Sequence, residues 1–203
     1  MTFVRTLLLI VVTALAQLAH AVQPSILVVG DSLSAGYGIK PEQGWVSLLQ
    51  QELAQKKRAT VINASVSGET SSGGLTRLPT LLNTHKPHIV IIELGGNDGL
   101  RGQPLNIMQE NLQSMISASK ASGAKVLLVG MQIPTNYGPR YTKQFKDTYP
   151  KLAEKNSVIL VPFLLEGVAT RSELIQRDGI HPTAEAQSIM LKNILPILLP
   201  MID

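Results

Sequence analysis

The chain has 203 residues, with 18 Lys and Arg against 14 Asp and Glu, a formal charge of +4, and no cysteine. That length suits one domain with a substantial core. The missing cysteine excludes disulfides and metal–thiolate sites, and a mild positive excess without a basic run or interleaved aromatics is no basis for nucleic-acid binding.

Residues 1–21 read as a secretory signal peptide. Arg5 gives a positive start, Thr6 to Ala16 is an apolar run, and Ala19-His20-Ala21 is a small-x-small cleavage site. Gln17 and His20 interrupt the run too early for a membrane anchor, which needs roughly 20 apolar residues. A periplasmic or secreted protein is therefore expected, with 22–203 as a single domain. Its 182 residues would carry 17 basic and 14 acidic side chains.

From there strands and helices alternate. Ser25 to Val29 is an apolar run ending at Gly30, the pattern of a strand buried on both faces. Trp45 to Gln55 predicts a helix with Trp45, Leu48, Leu49 and Leu53 on one face, so Trp45 reads as core. Ala59 to Ala64 predicts a second strand, and Gly74 to Asn83 a helix despite Pro79. His88 to Leu94 is the clearest strand, and Leu105 to Ser122 the clearest helix, with Met108, Leu112, Met115, Ile116 and Ser119 at helical intervals. Lys125 to Met131 predicts a fourth strand. A weaker helix is expected from about Tyr141, disturbed by Pro150, and a short fifth strand at Val158 to Val161. A final helix is expected to start at Pro182 and fray at Pro196 and Pro200. Its apolar end, Ile194 to Met201, is too short and too proline-broken to span a membrane. This order predicts a three-layer α/β/α sandwich on a five-stranded parallel sheet, with its site beyond the carboxyl ends of the strands.

Four blocks carry chemistry: Gly30-Asp31-Ser32-Leu33-Ser34, Ser67-Gly68-Glu69-Thr70, Gly95-Gly96-Asn97-Asp98 and Asp178-Gly179-Ile180-His181-Pro182. Ser32 lies just past a strand, where a turn into a helix exposes its hydroxyl. A serine needs a base, and His181 is the candidate. His20 falls in the signal, while His85 and His88 flank Pro87 in a loop and lack a carboxylate partner for a metal site. Asp178, three residues before His181, can hold the imidazole's other nitrogen. Asp31 and Asp98 read as loop-holding side chains. Taken singly, each block is a turn or a helix cap. Their joint occurrence in this order is what points to nucleophilic catalysis. No Gly-x-Ser-x-Gly elbow, Walker A loop or dinucleotide fingerprint is present.

On these blocks the chain resembles the SGNH, or GDSL, hydrolase superfamily, whose fold is flavodoxin-like. Longer stretches, Val29 to Gly38, Asn63 to Thr70, Gly73 to Pro79, Glu93 to Gly102 and Gln132 to Tyr141, are similar to its bacterial periplasmic thioesterase I / protease I / lysophospholipase branch, which includes arylesterases. The resemblance implies a monomeric hydrolase with no metal or other cofactor, acting on acyl esters, thioesters or lysophospholipids. It implies oxyanion donors from the backbone N–H of Ser32 and Gly68 and the side-chain amide of Asn97. It also implies that the loops around 98–104 and 133–141 shape the acyl pocket, with Ile133 and Tyr137 contacting substrate. Two alternatives stay open: an esterase removing acetyl groups from glycans, and a non-catalytic periplasmic α/β binding protein.

Overall fold

The computed structural model describes residues 23–56 and 58–202. The expected signal peptide lies outside the described residues. Strands β1 (Ser25–Gly30), β2 (Thr60–Asn63), β3 (Ile89–Glu93), β4 (Lys125–Val129) and β5 (Ile159–Val161) form one parallel sheet in the order β2-β1-β3-β4-β5. β3 is buried along its whole length and β1 at every position but Ser25, as the unbroken Ile/Leu/Val runs require of strands covered on both faces.

The helices are α1 (Ser32–Ala35), α2 (Trp45–Gln55), α3 (Ser71–His85), α4 (Gly96–Leu100), α5 (Leu105–Ala121), α6 (Pro139–Asn156) and α7 (Gln187–Ile202). α2 packs with α7 on one side of the sheet, and α3, α5 and α6 pack in sequence on the other. The three-layer α/β/α expectation holds. Trp45, Met108, Leu112, Met115, Ile116 and Ile194 are all fully buried. Among the described residues no helix is long and apolar enough to cross a membrane.

Three expectations need correction. α6 runs unbroken through Pro150, because Phe145, Tyr149 and Leu152 anchor one face in the core and that packing outweighs the lost backbone bond. α3 begins at Ser71 rather than Gly74: the Thr70 side chain caps it by accepting from Gly73 N–H (3.3 Å), and the Ser71 N–H donates to buried Asp98 (2.9 Å). The last helix starts at Gln187, not Pro182, and Pro196 and Pro200 lie inside it. Pro182 instead forms an antiparallel bridge with Ile175, and its carbonyl accepts from Gln176 Nε2.

Candidate active site

The sheet order reverses between β1 and β3, which leaves a crevice at their carboxyl ends. The two strands are paired to their last residues, Gly30 opposite Glu93. Ser32 and Asn97 therefore leave the sheet side by side, Ser32 at the start of α1 and Asn97 in the first turn of α4. Asp31 caps α1, its Oδ1 accepting from Leu33 N–H at 3.0 Å, and so fixes the turn that presents Ser32.

His181 reaches Ser32 from a tight hairpin rather than a helical turn. Gln176 N–H donates to the His181 carbonyl (2.7 Å), Thr183 N–H to the Leu174 carbonyl (2.8 Å), and Gly179 closes the loop at φ +74°. Inside it, Asp178 Oδ1 accepts from the N–H groups of Ile180 (2.9 Å) and His181 (3.0 Å), and Oδ2 lies 2.6 Å from His181 Nδ1. The backbone N–H of His181, then its ring, hold the Asp178 carboxyl down at about 2. His181 Nε2 stands 2.8 Å from Ser32 Oγ. A hydroxyl, an imidazole and an ionised carboxylate in this sequence can pass the hydroxyl proton to Nε2 and stabilise the resulting imidazolium.

Gly68 and Asn97 flank the same crevice. Gly68 sits at φ +79°, a conformation that suits glycine, and its carbonyl accepts from Arg101 Nη2 at 3.1 Å. Asn97 Nδ2 donates to the Glu69 carbonyl (2.9 Å) and to Asp31 Oδ2 (3.2 Å). Asn97 is thus tied to the loop of Gly68 and to the turn of Ser32 at once.

Beneath the crevice lies a group of buried polar side chains whose partners the sequence did not reveal. Glu93 Oε2 accepts from Ser34 Oγ (2.6 Å) and Asp31 N–H (3.3 Å), which braces the Ser32 turn from below. Burial, with the nearby Asp31 carboxylate, pushes the Glu93 carboxyl well up, and burial raises Asp31 to about 6. Tyr149 donates to the Leu94 carbonyl at 3.0 Å. A side chain at Gly95 would come within 2.4 Å of that hydroxyl, so glycine is required there. Asp98 accepts from Ser71 Oγ (2.6 Å), a loop-holding role like the helix cap of Asp31.

The two loops expected to shape the acyl pocket are pinned together. Tyr137 donates to the Leu100 carbonyl (2.8 Å) and Tyr141 to the Gln103 carbonyl (2.9 Å). Tyr137 is half-exposed and borders a shallow depression of ≈ 320 Å³ with Pro139, Arg140, Tyr141 and Gln144. Ile133 is buried, packed close to Gly99 of α4, so it supports the wall from behind. Away from the site, His88 Nδ1 accepts from Ser25 N–H (3.1 Å) and pins the loop before β3. Among the described residues no three His, Asp or Glu side chains are grouped to hold a metal ion.

Comparison with known proteins places this geometry in context. The model of the GDSL-like Lipase/Acylhydrolase family matches residues 28–189. The chain is 50% identical to Esterase TesA of Pseudomonas aeruginosa, over 98% of this chain and 100% of that protein. It is 42% identical to the Thioesterase 1/protease 1/lysophospholipase L1 of Escherichia coli, over 90% of this chain and 87% of that one. The crystal structure of TesA superposes with a TM-score of 0.85 at 52% identity, covering 87% of this chain and 99% of the other.

Proposed function

The chain belongs to the GDSL-like lipase/acylhydrolase family, and from that premise we propose that it hydrolyses acyl esters and thioesters through an acyl-enzyme on Ser32. It is an ester hydrolase acting on small-molecule substrates. The observation that carries the mechanism is the continuous line from Asp178 through His181 to Ser32, bonded at 2.6 and 2.8 Å at the sheet's crevice.

In this reading Ser32 Oγ attacks the substrate carbonyl carbon as its proton passes to His181 Nε2. The carbonyl π electrons move onto oxygen, and the oxyanion takes hydrogen bonds from the N–H groups of Ser32 and Gly68 and from Asn97 Nδ2. Of the two bonds Asn97 makes at rest, the longer one to Asp31 is the one to yield. The tetrahedral adduct collapses, the bond to the alcohol or thiol breaks, and the imidazolium protonates the departing atom. Water then repeats the sequence on the acyl-enzyme with His181 as base, releasing the acid and restoring Ser32. Asp178 stays ionised throughout and keeps Nδ1 protonated.

The acyl chain lies along the loops pinned by Tyr137 and Tyr141, with Tyr137 in contact and Ile133 behind. No metal or other cofactor takes part. The working form is a periplasmic or secreted monomer of residues 22–203, freed of its first 21 residues. Ser32→Ala should lower turnover roughly 10⁴-fold or more, and an organophosphate should label Ser32 in the unaltered protein. A label on Ser34, Ser65 or Ser67 would move the site elsewhere.

A further inference from the structure

Tyr37 lies outside the relay just described, yet its ring rests on the imidazole of His181, with centroids 4.5 Å apart and planes inclined by 40°. Tyr37 is 53% exposed, so core packing does not account for its position. The backbone does. Tyr37 N–H donates to the Ser32 carbonyl (3.1 Å), and its own carbonyl accepts from Gln176 Nε2 (2.8 Å), a side chain that also holds Pro182 (2.9 Å). Tyr37 is thereby tied both to the turn of the nucleophile and to the hairpin of the base.

The edges of the imidazole are occupied: Asp178, from its own hairpin, sits on Nδ1, and Ser32, from the turn after β1, on Nε2. Asp31 also interacts electrostatically with His181. The Tyr37 ring packs against the imidazole as well, tilted rather than stacked flat. An aromatic face attracts a cation within about 6 Å and offers far less to a neutral ring. We propose that Tyr37 is a positioning residue for the base, its ring face holding the imidazole in line and favouring the imidazolium formed when Ser32 gives up its proton. The inference rests on the relay of Ser32 and His181 and assigns the ring a contribution that is largest once that proton has moved.

The test separates the ring face from mere bulk. Tyr37→Leu keeps an apolar cover but no π face, and Tyr37→Phe keeps the face without the hydroxyl. With Leu, kcat should fall about two- to fivefold at unchanged KM, the size of a partly exposed cation–π contact. The acid limb of the kcat–pH profile should move to lower pH, because the imidazolium loses the ring face beside it. With Phe, all three readouts should match the unaltered protein. Leu behaving like Phe, or a change confined to KM, would overturn the proposal. Full turnover in His181→Ala would overturn the relay, whereas an inactive His181→Ala with Leu behaving like Phe would overturn the role of Tyr37 alone.

Discussion

Asn97 is positioned by its neighbours before any substrate arrives. The Glu69 carbonyl and Asp31 Oδ2 aim its amide, so no rearrangement of the backbone is needed when charge develops on a carbonyl oxygen. Asn97→Ala should therefore cost ~10²–10³ in kcat, about 3–4 kcal/mol, with KM little moved. A rise in KM at unchanged kcat would make Asn97 a binding residue instead. Asp31 has a cost of its own. Burial raises its carboxyl from 3.8 to about 6, so the folded state holds the proton more tightly than the unfolded chain. Stability from this group is present below 3.8 and is lost as the pH rises through about 6. Asp31→Asn keeps an oxygen for Leu33 N–H but cannot ionise. Its Tm relative to the unaltered protein should improve between about pH 4 and pH 7.5, and parallel Tm curves would exclude this titration.

At the scale of elements, what was legible in the sequence was whatever is local. Ile89–Ile92 reads as a two-sided strand because every residue is apolar, and Trp45–Gln55 reads as a helix because its period is 3.6. Ser32, Asn97 and the Asp178–His181 pair were visible because each sits in a short motif at a strand end or turn. Contacts between distant segments were not: nothing near Glu93 announces Ser34, and nothing near Tyr37 announces His181. Pro150 and Pro182 misled for one reason, since local propensity yields to packing in the first case and to the bridge with Ile175 in the second. That bridge makes the 175–183 hairpin the element on which the relay depends. Gly179→Ala forces an L-residue into φ +74°, at a cost of roughly 1–2 kcal/mol. We expect a lower Tm and, because Asp178 and His181 ride on this turn, a loss of kcat as well. Unchanged kcat in a destabilised variant would show that the hairpin presents the base without needing that conformation.

At the scale of the molecule, the large exposed apolar side chains among the described residues are distributed unevenly. Tyr37, Val66, Ile107, Tyr137 and Ile180 all stand on loops or first helical turns at the carboxyl end of the sheet, the end that carries Ser32, whereas Ile159 opens β5 at the other end. A site with this surround, and a relay that acts on the carbonyl rather than on what departs, should take its affinity from the acyl chain. Each buried CH₂ contributes at most about 0.8 kcal/mol, close to fourfold per carbon. The expected result is a rise in kcat/KM from acetyl to medium-chain acyl groups, for nitrophenyl esters and acyl-CoA thioesters alike. Tyr137→Ala should flatten that rise in two ways, since it strips apolar surface and cuts the tie to the Leu100 carbonyl that pins the two loops together. Ile133→Ala, acting from behind, should lower stability more than it changes the slope. A steep preference for acetylated sugars over every longer acyl group would reject the acyl-groove reading and turn the same relay toward glycan deacetylation.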